Sequence, residues 1–408
     1  MEVTPSPRSA RHVPALDGLR GIAILLVLLR HLVLRPAGTP VDWLHQVTRV
    51  GWVGVDLFFV LSGYLITGIL LDTRGRPGYL RTFWVRRALR ILPLYYGFLA
   101  FYLWVIPHAY PRQAGAFAVL DRNQAWLWLY GNNLLSAVEG VHLSFGLSHF
   151  WSLAVEEQFY LVWPIVVLLL PRRALLRICG GLALGAALLR VALIHAGVPA
   201  GSIYGLTFTR MDGLLAGAAV AVLVRERGGA RALLPAARWG ASVGLAVLLA
   251  LLPWAPSLME LSPWMQRFGY SALALFFASA LVHCIAAPSG GALSKALNLR
   301  GLHFLGRHSY AIYVLHLPVL HFLLSSRIYP EQMAALLGGT LLVGRLAFFL
   351  VAAALSVAVS WVVWHLWERP FLRLKARFPY RAAAAESTSW SSTRPSVSRT
   401  ALTRTSAG

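Results

Sequence analysis

The sequence predicts an all-α, polytopic membrane protein of about ten transmembrane helices, with both termini cytoplasmic. Three observations carry this. Hydrophobic residues make up 58% of the 408-residue chain and charged residues 13%, a balance that excludes both disorder and an ordinary soluble fold. Ten apolar runs each approach the roughly 20 residues that a helix needs to cross a bilayer. The basic residues alternate across those runs. With the N-terminus inside, 26 of the 37 Lys and Arg fall in cytoplasmic segments, 6 in outer segments and 5 within spans, as the positive-inside rule requires. The formal charge of +22 therefore reflects topology, and no nucleic-acid partner is expected.

The expected spans lie near 16–35, 52–71, 89–107, 153–171, 175–196, 206–224, 238–254, 268–286, 303–325 and 341–366. The first reads ALDGLRGIAILLVLLRHLVL from Ala15 and carries Asp17, Arg20, Arg30 and His31. It is too long and too charged for a signal peptide and reads as an uncleaved span. At about 100° and 1.5 Å per residue, Arg20 and His31 share one helix face, roughly 16 Å apart. An ionisable group inside a bilayer is costly and marks a functional site by default. The second span carries Asp56. The third is entered through Arg86, Arg87 and Arg90. The stretch 124–138 is too short to cross and reads as interfacial or re-entrant.

The fourth span opens with HFWSLAVEEQFY, placing His149, Trp151, Ser152, Glu156 and Glu157 toward its outer end. Glu157 lies one step around the helix from Glu156, so the two are not expected to face one site. His149 and His308 read as interfacial bystanders. Gly181 and Gly185, like Gly213 and Gly217 in the sixth span, read as close helix packing. The sixth span begins with Arg210 and Asp212, and the ninth brings His316 into the outer half. Trp361, Trp364 and Trp367 read as an interfacial belt. Cys179 and Cys284 sit in or beside apolar runs without ligand spacing; they read as packing residues, and no metal is expected. Residues 1–15 form a cytoplasmic segment, 16–373 the membrane domain, and 374–408 a basic, Ser/Thr-rich tail expected to be disordered.

Depth then sorts the polar residues into two clusters. One is basic and cytoplasmic, comprising Arg86, Arg87 and Arg90 with Arg20 above them. Guanidinium forks bind phosphate well, so this mouth suits an anionic ligand such as a phosphorylated cofactor, although the same arginines also serve as topology determinants. The other is mixed acid and base in the outer half: His31, Asp56, Glu156, Glu157, Arg210, Asp212 and His316. Histidine beside carboxylates suits proton abstraction from a hydroxyl. Asp56 and Glu156 could equally serve as ion-pair partners of Arg30 or Arg210.

Taken in order, LDGLRGIAILLVLLRH, GVDLFFVLSGYLI, FWVRRALRILPLYY, HFWSLAVEEQFY, RMDGLLAG, GRHSYAIYVLH and WERP resemble the acyltransferase 3 family of bacterial integral-membrane acyltransferases across residues 13 to 373. The resemblance implies an O-acyltransferase of the bacterial cytoplasmic (inner) membrane. It would move an acyl group, often acetyl, from acyl-CoA to a hydroxyl of a carbohydrate, glycolipid or glycoside; lipopolysaccharide O-antigen and peptidoglycan are typical acceptors. Some members carry an extra span and an extracytoplasmic domain, which this chain, ending after the tenth span, is expected to lack. Residue by residue, the family's first-span arginine and histidine fall on Arg20 and His31, its arginine pair on Arg87 and Arg90, and its acidic element on Glu156 and Glu157.

On this reading Arg87, Arg90 and Arg86 hold the donor, with Arg20 along its path. His31, oriented by Glu156 or Asp56, deprotonates the acceptor or forms an acyl-histidine. Glu157, Arg210, Asp212, His316, Trp151 and Ser152 face the acceptor. Two other classes fit parts of the pattern. A transporter or flippase would use the same histidines and carboxylates as a proton relay, but the spans show no inverted repeat. A passive scaffold would be indifferent to Arg20 and His31.

Overall fold

The computed structural model describes residues 14–35, 42–109, 114–140, 146–255 and 258–380, and no strand occurs among them. The N-terminal segment up to residue 13 and the tail from 381 lie outside the described residues. Ten main helices coincide with the ten apolar runs. They are α1 (Pro14–Leu32), α2 (Val53–Thr73), α3 (Tyr79–Trp104), α4 (Phe150–Leu169), α5 (Arg172–His195), α6 (Asp212–Glu226), α7 (Leu234–Leu251), α8 (Tyr270–Ala286), α9 (Arg300–Ser325) and α10 (Leu341–Val363).

Seven helical stretches, containing α2, α3, α4, α5, α7, α8 and α10, are long and apolar enough to cross a membrane, and α9 joins Pro330–Leu336 across a 63° bend as an eighth. The first helix is not among them: Asp17, Arg20 and Arg30 charge it. Nor is α6, which has 15 residues. The stretch expected to be interfacial holds two short helices, Gln124–Trp128 and Asn132–Glu139.

The bundle has a centre and a rim. In the most apolar stretch of Trp43–Thr73, 72% is buried, against 17% for Arg172–His195. Helices α1, α2, α6 and α9 pack tightly together, with α4 against α2 and α10 outside α9. Glycine lets the central backbones touch. A Cβ on Gly306 of α9 would lie 1.9 Å from the Asp17 carbonyl oxygen of α1, and one on Gly21 would lie 2.2 Å from that of Leu302. Only a residue without a side chain allows this approach. The sixth-span expectation holds at Gly217, whose Cβ would meet Val60 O at 2.0 Å. Gly181 and Gly185 have open space instead and meet nothing within 4 Å among the described residues.

Polar contacts tie the helix ends together at each end of the bundle. At one end Arg225 of α6 pairs with Asp72 of α2 at 2.7 Å, and Arg74 donates to Leu170 O beyond α4. At the other, Arg30 of α1 pairs with Glu260, between α7 and α8, at 2.8 Å, and Arg345 of α10 pairs with Asp42. The ends so joined are those that the alternation of basic residues assigns to a common side.

Candidate active site

The C-terminal half of α1 faces a cavity of about 370 Å³, lined by Arg30, His31, Trp52, Asn132, His149, Trp151, Tyr204, Glu260 and Tyr313 among others. Behind it, His31 Nδ1 lies 3.1 Å from His316 Nε2. The glycine contacts between α1 and α9 create this meeting, because they hold the two helices close enough for facing imidazoles to touch.

The contacts of His316 fix the protons. Its Nδ1 lies 2.7 Å from the Tyr313 carbonyl oxygen and 3.1 Å from that of Ile312. Carbonyl oxygens only accept, so Nδ1 of His316 carries the hydrogen. In the neutral ring Nε2 is then the acceptor, and the proton between the rings belongs to His31 Nδ1. His31 is left with a bare Nε2 lone pair. The sequence expected Glu156 or Asp56 to orient His31; the structure gives that contact to His316, which the sequence had placed with the acceptor.

Around the other end of the same α1 face is a smaller cavity of about 90 Å³. Arg20, Arg87, Arg90, Ser62, Ser152, Glu156, Glu157, Tyr160 and Tyr313 contribute to its lining. Both acids therefore border one site, and they stand with the arginines rather than with His31. The reason is length: α4 starts at Phe150, so Glu156 sits about 9 Å down its axis, at 1.5 Å per residue, below the level of His149. Glu156 accepts from Ser62 Oγ at 2.8 Å and from the Tyr160 hydroxyl at 3.1 Å. The Arg87 guanidinium lies over the Tyr160 ring at 4.5 Å.

Val55 and Tyr313 line both cavities. Between the cavities Ser152 Oγ and the Tyr313 hydroxyl share a 2.5 Å hydrogen bond, and the same hydroxyl donates to His149 O at 3.0 Å. Two polar chambers thus meet at a thin wall, one carrying guanidinium groups and the other an imidazole. That arrangement can bring an anionic donor and a hydroxylic acceptor together from opposite ends.

Four other expected site residues stand behind the chambers. Asp56 pairs with Arg210 at 2.8 Å, and Asp212 with Arg190 at 3.0 Å. Both pairs are buried. The Arg210 guanidinium sits among the rings of Tyr270, Tyr204, Trp151 and Trp52, 4.0 Å from the Tyr270 centroid. Asp56 and Arg210 therefore brace the aromatic wall of the His31 cavity from outside and do not line it. This realises the ion-pair alternative for Asp56. Arg86 also stands apart: it donates to the carbonyl oxygens of Lys375 and Phe378, each at 2.9 Å, and anchors the segment after α10.

Sequence reasoning missed Glu260, Asn132 and Tyr313, and set aside His149. Glu260 lies between spans and Asn132 in the short stretch 124–138, where no span periodicity assigns depth. His149 precedes α4 and is buried, 4.9 Å from the His316 ring centroid. The adjacent HFWSL and the outer-end placement of His31 were the available signal for it.

Residues 13–365 match the family model described as an acyltransferase domain. Among curated relatives, peptidoglycan O-acetyltransferase OatA of Listeria monocytogenes is 32% identical over 336 residues, covering 76% of this chain and 50% of the relative. The putative peptidoglycan O-acetyltransferase YrhL of Bacillus subtilis is 32% identical over 326 residues, covering 76% and 49%. O-acetyltransferase OatA of Staphylococcus aureus is 30% identical over 337 residues, covering 77% and 51%. The chain spans about half the length of these relatives. No solved structure matches.

Proposed function

The chain belongs to this acyltransferase family, and from that premise we propose that it is a membrane O-acyltransferase moving an acetyl group from acetyl-CoA to a hydroxyl of a cell-surface glycan. The names of its relatives make peptidoglycan the first acceptor to test. In the same reading residues 16–373 are the membrane domain, with ten crossings of the bacterial inner membrane and both termini cytoplasmic. The single observation that carries the proposal is the His31–His316 contact, set one thin wall away from a chamber of three arginines.

Each residue then has a task. Arg87 and Arg90 hold the phosphates of the donor at the cytoplasmic mouth, as guanidinium forks do. Arg20 continues the positive lining toward Tyr313. His31 Nε2 takes the proton of the acceptor hydroxyl, and that oxygen attacks the thioester carbonyl. The carbon–sulfur bond breaks, an ester forms, and His31 returns its proton to the departing thiolate. His316 accepts from His31 Nδ1 throughout, which keeps the new positive charge partnered.

General-base help is worth about 10²–10⁴ in rate. His31→Ala should lower acetyl transfer by that factor in purified protein while membrane abundance stays normal, measured with labelled acetyl-CoA and mass spectrometry of the glycan. Transfer at the normal rate would remove His31 from the scheme. Transport of a glycan without any release of CoA would favour the transporter class.

A further inference from the structure

The lining of the His31 cavity includes two residues with hydrogen-bond acceptors that the transfer chemistry does not use. Glu260 is 8% exposed and Asn132 is 6% exposed. Glu260 spends Oε1 on Arg30 at 2.8 Å, while its Oε2 has no partner among the described residues. Asn132 Oδ1 likewise has none. Leaving an acceptor atom buried without a donor is costly. Two such oxygens on residues that line one cavity are therefore unusual, and they come from separate elements: Asn132 opens a short helix, and Glu260 lies in the segment before α8.

Neighbours hold the Glu260 position firmly. Trp52 Nε1 donates to Leu258 O at 3.0 Å, and the Tyr270 hydroxyl donates to Glu260 O at 2.5 Å, so the segment carrying Glu260 is latched at two points. Aromatic rings line the same cavity. Trp151 and Tyr204 have ring centroids 4.6 Å apart, and Trp52 meets Tyr204 edge-on. Arg210 backs all three rings. Aromatic faces flanked by fixed oxygen acceptors match a pyranose, which has an apolar C–H face and a rim of O–H and N–H donors. A pocket in which a few placed polar groups orient an otherwise apolar contact is how small-molecule sites achieve selectivity.

We infer that Glu260 and Asn132 form the acceptor-reading subsite of this cavity, each receiving a hydrogen bond from a hydroxyl or amide N–H of the sugar whose neighbouring hydroxyl lies at His31. Arg30 fixes the Glu260 carboxylate so that one oxygen faces the sugar. The inference rests on the acyl-transfer reading above, and it separates the recognition of the acceptor from the chemistry performed on it.

The test uses the full-length purified protein in detergent, acetyl-CoA as donor and a muramidase-released peptidoglycan fragment as acceptor. Asn132→Ala and Glu260→Gln should each raise the acceptor KM about tenfold or more, the equivalent of one lost hydrogen bond in a buried site. The donor KM and the slow release of CoA to water should stay within twofold of the parent. Asn132→Asp keeps an acceptor oxygen in place and should stay near the parent value; a purely structural role for Asn132 does not predict this rescue.

If His31→Ala is inactive while Asn132→Ala and Glu260→Gln keep a normal acceptor KM, the subsite is wrong and the transfer reading stands. If the variants change the donor KM instead, the subsite is likewise overturned. If the parent neither binds nor acylates the fragment, the glycan reading falls and takes the subsite with it.

Discussion

Replacing His316 tests the link that the structure adds to the chemistry. In His316→Ala the His31 Nδ1–H loses the acceptor at 3.1 Å, within a site where His316 itself is 0% exposed. His31 keeps its backbone contact with Val27, but the imidazolium formed in transfer loses a hydrogen bond to a charged group, worth about 1.5–3 kcal/mol, which at 1.4 kcal/mol per decade is about 10- to 140-fold in rate. His316→Ala should therefore lose acetyl transfer by about 10- to 100-fold, short of the 10²–10⁴ expected for His31→Ala. His316→Gln should recover part of this. Its side-chain amide reaches about as far as Nε2, so its oxygen can accept from His31 Nδ1–H. The assay is kcat for transfer from labelled acetyl-CoA, scaled to folded protein by melting temperature and gel filtration in detergent. The order parent, Gln, Ala, then His31→Ala is the expected result. A His316→Ala variant within twofold of the parent, or a Gln variant below Ala, would refute the tautomer reasoning.

Two further outcomes follow from the placement of the charged residues. Arg87→Ala and Arg90→Ala should raise the donor KM about 10- to 100-fold, the cost of a charge-assisted hydrogen bond, whereas Arg86→Ala, whose guanidinium is tied to the Lys375 and Phe378 carbonyls, should leave it nearly unchanged; equal KM effects in all three folded variants would contradict the chamber as drawn. Asp56→Ala should destabilise the protein by about 3–5 kcal/mol, because it strands the Arg210 guanidinium in the interior, and the double change Asp56→Leu with Arg210→Met should recover melting temperature relative to Asp56→Ala; a stable Asp56→Ala protein that is specifically dead in transfer would return Asp56 to the chemistry.

The helical fold was legible because membrane insertion writes itself locally. A span is a run of about 20 residues, and the alternation of arginines orders the runs, so each of the ten expected stretches coincides with a helix. The shared face of Arg20 and His31 was legible for the same reason: both lie on one continuous helix, where rise and angle fix their relation. Partnership across helices is different. Whether Glu156 stands with His31 or with Arg20 depends on where α4 begins relative to α1, an offset that no single span records. Asp56 fits an ion pair or a base equally well in the sequence, and only the arrival of Arg210 from the turn just before α6 decides it.

The sequence by itself determined the family, the helical membrane class, and the pair of ionisable groups on α1 that any account must use. The tertiary structure decided who meets them. It set His316 against His31 where glycine contacts draw α1 and α9 together, divided the polar residues into two chambers at Tyr313, and brought Glu260 and Asn132 to the lining of the His31 cavity. The physical reason is range. Hydropathy and helix periodicity act within one segment, whereas a hydrogen bond needs two atoms within about 3 Å, and between separate helices that distance is set only when the whole bundle packs.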